Sequence, residues 1–187
     1  LFRSPPDWSR LLEFMGKKGV SPQELHEMGL ALPKNSGQGY YDRFRNRLMF
    51  PIWDQGGRVI AFGGRILGEG EPKYLNSPDT PLFNKGKHLY GLHLAKGAIR
   101  QADLAIMVEG YMDVIACHQF GVTNAVASLG TALTPSQARA ILRHTYQVAI
   151  AYDGDTAGSL AALRGLDVLS DFGTQVRVVK FPQGLYP

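Results

Sequence analysis

The sequence predicts an α/β chain: a mostly parallel sheet flanked by helices in the second half, preceded by a mixed α+β basic part. Three observations predict it. After residue 102, short apolar runs alternate with helix-length runs, and two of the apolar runs have almost no polar position, as strands covered on both faces do. Before that point, turn residues and shorter β-type runs prevail. Charge divides at the same place: residues 1–101 carry 15 Lys and Arg against 9 Asp and Glu, a net of +6, and residues 102–187 carry 5 against 7, a net of −2. The expected domains are therefore 1–101 and 102–187. A basic half beside a mildly acidic one suits a polyanion partner, although uneven surface charge gives the same balance.

Composition excludes several classes. The chain is 44% hydrophobic and 19% charged, ordinary values for a soluble globular protein. No stretch approaches the roughly 18 apolar residues that span a bilayer. The start, "LFRSPPDW", lacks both a signal-peptide core and an initiator Met, so the chain is read as a piece of a longer protein. Cys117 is the single cysteine, which excludes an internal disulfide and a cysteine zinc site.

The elements follow in order. "DWSRLLEFMGKKGVSPQELHEMGLAL" (7–32) reads as two short helices; in the second, Ser21 caps, Pro22 takes the first helical position, Glu24 closes a capping box and Gly29 ends the helix. Residues 33–39 form a loop. Two β-type runs flank Asp54-Gln55-Gly56-Gly57, a hairpin signal. Residues 68–91 are rich in Gly, Pro, Asn and Ser and read as a long surface loop with short extended pieces. Then come a strand at 104–110, a helix ending at Gly121, a strand at 122–128, a helix capped by Thr134 with Gln137 closing the box, a strand at 146–152, a helix ending at Gly173 and a strand at 175–181.

In open α/β sheets, sites lie beyond the carboxyl ends of the strands. Glu109 ends the first strand of the second half, Asp113 follows about one helical turn on, and Asp153 and Asp155 end the third strand. Two carboxylates about 5 Å apart repel by roughly 3 kcal/mol at an effective dielectric near 20. Such a cluster is stable with partial protonation or with cations, and an oxygen-only donor set suits Mg²⁺ or Mn²⁺. Gly154 lets the chain turn so that both aspartates can face one ion. Asp155 is also a good helix cap and Asp113 a good first-turn residue, so for these two the structural and metal-binding roles stand together.

"MVEGYMDVI" (107–115), "SLGTALT" (128–134) and "YDGDTAG" (152–158), in this order, resemble the Toprim domain of bacterial DnaG-type replicative primases. Upstream, "YYDRFRNRLMFPIWDQGGRVIAFGGRIL" (40–67) and "PKYLNSPDTPLFNKGKHLYGL" (72–92) resemble the basic part of the same catalytic core. The resemblance implies a Toprim-type sheet and template-directed synthesis of short RNA primers on single-stranded DNA. It implies that Glu109 activates the attacking hydroxyl or holds a metal, that Asp153 and Asp155 bind catalytic metal, and that Asp113 supports them. It implies ribonucleoside triphosphates, a single-stranded DNA template and an RNA/DNA duplex as partners. It also implies a cytoplasmic place at the bacterial replication fork.

Arg43, Arg45 and Arg47 alternate with other residues, and at a strand's period of two they would share one face. Arg65, Lys73, Lys85 and Lys87 extend the basic set, and such groups give sequence-independent affinity for phosphates. The resemblance assigns nucleotide and nucleic-acid contacts to Arg65, Lys73, Asn76 and Lys85. Tyr40, Tyr41, Tyr74 and Tyr90 lie near these charges and suit packing or base stacking.

The chain departs from the family where a further acidic cluster is expected after the last strand; it reads "FPQGLYP", with Leu185 and Tyr186 where Lys and Asp are expected. The family's zinc-binding amino-terminal domain and its helicase-contacting carboxyl-terminal region are likewise expected outside this chain. The competing readings are another Toprim enzyme that breaks strands, such as a topoisomerase or nuclease, and a non-catalytic nucleic-acid-binding module.

Overall fold

The computed structural model describes residues 2–153, 156–179 and 181. Its chain falls into two units, residues 1–52 with 59–84, and residues 53–58 with 85–187. Residues 53–58 thus belong with the later unit, which otherwise starts at residue 85, and the charge balance changes near residue 101.

In the first unit, β1 (Phe2–Arg3), β4 (Arg47–Trp53), β5 (Val59–Ile66) and β6 (Tyr74–Asn76) form one sheet in that order, and β2 (Ala31–Pro33) pairs antiparallel with β3 (Tyr40–Asp42). The two predicted helices are α1 (Arg10–Gly16) and α2 (Pro22–Glu27). Ser21 and Glu24 make the capping box that the sequence announces. The start of α1 is capped from a distance: buried Asp42, on β3, accepts the N–H groups of Leu11 at 2.6 Å and Leu12 at 3.0 Å. A buried carboxylate is tolerated there because main-chain donors satisfy it. Phe44, Met49, Phe50, Ile52, Ala61 and Phe83 are buried in this unit. Phe83 comes from the stretch expected to be a surface loop; a turn in which Thr80 and Phe83 exchange main-chain hydrogen bonds directs its ring inward.

The second unit carries the parallel sheet. Its strands are β7 (Ala105–Val108), β8 (Ala125–Ala127), β9 (Gln147–Ile150) and β10 (Gln175–Val178), in spatial order β10-β9-β7-β8, all parallel. The helices are α3 (Leu92–Ala102), α4 (Tyr111–Gln119), α5 (Pro135–Leu142) and α6 (Thr156–Ser170). Both faces are covered, as the apolar runs require. Met107, Val126, Val148 and Ile150 pack with Ile99, Ile141 and Leu169 on one face, and Val108 and Ala127 with Val114 and Cys117 on the other.

Two features were not legible. Helix α3 begins at Gly91, whose φ of 81° and lack of a side chain let it pass Val114; a Cβ there would lie 2.7 Å from Val114 Cγ1. The segment at 85–91 is fixed to α5, because fully buried Gln137 donates from Nε2 to the carbonyls of Lys85 at 2.8 Å and His88 at 2.9 Å. No described helix is long and apolar enough to cross a membrane.

Candidate active site and basic cluster

The strands β7 and β9 are neighbours, so their carboxyl ends bring Glu109 and Asp153 together. The Ala151 N–H donates to the Met107 carbonyl at 2.8 Å. Two residues on, the Asp153 N–H donates to the side chain of Glu109, at 3.0 Å from Oε1. The two residues singled out at the strand ends are therefore one unit. Asp155 lies outside the described residues, as do Gly154 and the run that holds Leu185 and Tyr186. Among the described residues no three His, Cys, Asp or Glu side chains gather as a metal-ligand set.

Asp113 is in the third position of α4, and its Oδ2 accepts the Gly110 N–H at 2.8 Å. It holds the turn immediately after Glu109. Burial raises the Asp113 carboxyl above its ordinary range, against the lowering effect of the Gly110 hydrogen bond. The carboxylate is thus directed at the start of its own helix.

A cavity of about 300 Å³ opens at this edge, lined by Glu109, Ser128, Gly130, Thr131, Tyr152 and Arg164 among others. Tyr152 is pushed up to about 12, first by burial and then by the charge of Glu109. Its phenol stays protonated at any physiological pH. Oxygen donors on two adjacent strand ends, beside an open cavity, fit a hard divalent cation. Ser128, Thr131 and Tyr152 stand in the motifs that flag the site, yet no spacing marked them. Arg164 carried no signal at all, since its place depends on how α6 is set.

The basic residues are arranged differently from the prediction. Asn46 adopts a φ of 50°, which breaks the run between β3 and β4, so Arg43, Arg45 and Arg47 do not share a strand face. Arg47 is 5% exposed, and its Nη1 donates to the carbonyls of Gly64 at 3.2 Å and Lys73 at 3.5 Å. Gly64 makes room for it: a Cβ there would lie 3.0 Å from Arg47 Cδ. Arg43 is half-buried and donates from Nη2 to the Asn76 carbonyl at 3.0 Å, and burial lowers its guanidinium below the usual arginine value. Arg45 lies 4.1 Å from the Trp8 ring and 5.1 Å from that of Tyr41. Arg65 pairs with Tyr74 across β5 and β6 and lies over its ring. Arg43, Asn76, Arg47 and Lys73 thus meet around the β5–β6 ladder, with Arg65 on it. Arg45 stands with Trp8, and Lys85 belongs to the other unit. Trp8 had no sequence signal.

The family model described as DNA primase catalytic core, N-terminal domain, matches residues 3–96, and a Toprim-like model matches residues 106–185. The chain belongs to the DNA primase catalytic-core family. The DNA primase of Clostridium acetobutylicum is 52% identical over 97% of this chain, and that of Escherichia coli K12 is 44% identical over 98%. The chain spans 30% and 32% of the length of these two primases. A DNA primase domain from Pseudomonas aeruginosa superposes with a TM-score of 0.92 at 44% identity, covering 99% of this chain and 59% of that one. A DnaG primase catalytic domain bound to single-stranded DNA superposes with a TM-score of 0.89, also at 44% identity, covering 99% and 60%. The Toprim-type sheet and basic amino-terminal part are those of this family.

Proposed function

We propose that this chain is the catalytic-core portion of a primase that makes short RNA primers on single-stranded DNA by metal-assisted nucleotidyl transfer. The observation that carries the reading is the Asp153 N–H bonded to Glu109 Oε1, which joins two carboxylate residues at adjacent strand ends, with Glu109 lining a cavity there. In the reaction a primer 3′ oxygen attacks the α-phosphorus of a ribonucleoside triphosphate. The bond to the bridging oxygen breaks, pyrophosphate leaves, and the hydroxyl proton passes to solvent.

Glu109, Asp153 and Asp155 would hold Mg²⁺ or Mn²⁺, which when bound stabilises the attacking and leaving oxygens. Asp113 supports them by fixing the turn at Gly110. Tyr152 presents a neutral phenol and adds no negative charge near the phosphates. Arg43, Arg45, Arg65, Lys73, Asn76 and Lys85 are proposed to contact template, RNA/DNA duplex and nucleotide. Arg47 holds the β5–β6 frame. Helicase contact and zinc are assigned to other parts of the longer protein, acting in the bacterial cytoplasm.

The test uses the full-length protein with labelled ribonucleotides and a single-stranded template, beside a nicking assay on supercoiled DNA. Incorporation that is lost in Glu109→Gln supports the reading. Nicking without incorporation overturns it in favour of strand breakage, and an unchanged Glu109→Gln protein overturns a catalytic role altogether.

A further inference from the structure

We propose that Arg164 binds the polyphosphate of the incoming ribonucleoside triphosphate in the cavity that Glu109 opens into; this rests on the nucleotidyl-transfer reading above. Among the described residues that line this cavity, Glu109 and Arg164 are the charged ones. A carboxylate alone rejects an anion, and a guanidinium alone accepts one without a metal. A lining with one of each matches a ligand that itself carries both signs: a divalent cation on the Glu109 side and phosphate oxygens on the Arg164 side. A metal–triphosphate has that chemistry. The guanidinium is a planar fork with five donors, which suits non-bridging phosphate oxygens in pairs.

The fold sets Arg164 at the cavity wall. Ala161 also lines the cavity and lies three residues earlier on α6, so the two residues share a helix face. Ala161 is small and takes little of the cavity from its neighbour. The next residue, Gly165, sets the height of the helix over the sheet: a Cβ on it would lie 3.3 Å from Ile150 Cδ1 and 4.0 Å from Leu133 Cδ2. Ile150 is the last residue of β9, so the same close approach fixes α6 against the strand that leads to Asp153. On the facing wall, Gly130 has a φ of 73° and turns the chain so that Thr131 lines the cavity beside it. None of these residues holds Arg164 in an ion pair among the described residues.

The experiment is equilibrium dialysis of the full-length protein with Mg·ATP, with magnesium pyrophosphate and with AMP, for wild type, Arg164→Ala and Arg164→Lys. Thermal melting and single-stranded DNA affinity are measured in parallel. Arg164→Ala should weaken Mg·ATP and pyrophosphate by about tenfold or more, the loss expected when a charge-assisted hydrogen bond to phosphate is removed. AMP and DNA affinity should hold, and Arg164→Lys should fall between the two. Mg·ATP affinity within about twofold of wild type in a variant that melts normally overturns the proposal. Equal losses for AMP and Mg·ATP also overturn it. If Arg164→Ala does not fold, the same comparison is decided on Arg164→Lys. Failure of the wild type to bind Mg·ATP, together with no ribonucleotide incorporation, instead overturns the functional reading on which the proposal rests.

Discussion

Glu109 ends the β7–β9 ladder with its side chain. Along β9 the Ala151 N–H bonds to the Met107 main-chain carbonyl; at the next equivalent position the Asp153 N–H bonds to Glu109 Oε1. A carboxylate oxygen takes the place of a carbonyl at the last rung. This spaces the two residues by hydrogen-bond geometry, at a position where Glu109 also lines the cavity. It also gives Asp153 a structural attachment through its main chain.

Glu109→Gln separates charge from shape at this rung. The amide oxygen still accepts the Asp153 N–H, so the fold should hold. The charge that raises Tyr152 is gone, so Tyr152 should titrate below about 12 yet remain above an ordinary tyrosine, because burial is the larger cause. Tyrosinate absorbance against pH, with Tyr152→Phe as the reference, checks this. An unmoved titration would show that the carboxylate and the phenol do not interact.

Asp113 gives a pH test. Burial raises its folded value above that of the unfolded chain. The stability this gives is present at acid pH and is lost as pH rises through the raised folded value. Asp113→Asn keeps an oxygen for Gly110 without a charge to bury. It should flatten that part of the stability profile and match or exceed wild type at neutral pH. Asp113→Ala removes the cap and should cost about 1 kcal/mol. Urea unfolding across the acid-to-neutral range measures both.

Arg47 and Arg65 should part in behaviour. Arg47→Ala strips two carbonyls of a buried donor and opens a hole, a loss of about 2–4 kcal/mol in urea unfolding. Arg65→Ala should leave stability within about 0.5 kcal/mol, since Arg65 stands on the outer β5–β6 pair. Its effect should appear in single-stranded DNA binding, as a salt slope shallower by about one. A slope equal to wild type would remove Arg65 from the phosphate contacts.

The second half was the more legible in sequence. Its four strands and three of its helices stand where apolar runs and capping boxes place them, as Thr134 and Gln137 illustrate. Glu109 and Asp153 were legible because carboxylates at the ends of apolar strands are conspicuous. Helix α3 was not, because its first cap is a left-handed glycine and not one of the side chains that announce a helix. The arginine run misled because a period of two assumes unbroken extended backbone, and Asn46 breaks it. Trp8 and Arg164 acquire their neighbours from tertiary placement, which local pattern does not encode.

Gly91→Ala tests the α3 start directly. The new methyl group would meet Val114 in a left-handed backbone, and a loss of about 2 kcal/mol or more is expected in urea unfolding. Val114→Ala in the same background should recover part of it, a non-additivity that a cycle of the two changes measures.

The rung that joins Glu109 to Asp153 spans 44 residues of chain. Between them run α4, β8, α5 and β9. A chain growing from its amino end therefore cannot join these two residues until the second of two distant strands has emerged and paired, and closing so long a loop carries an entropic cost. The pairing of Glu109 with Asp153 is consequently a long-range closure, made only where β9 docks on β7.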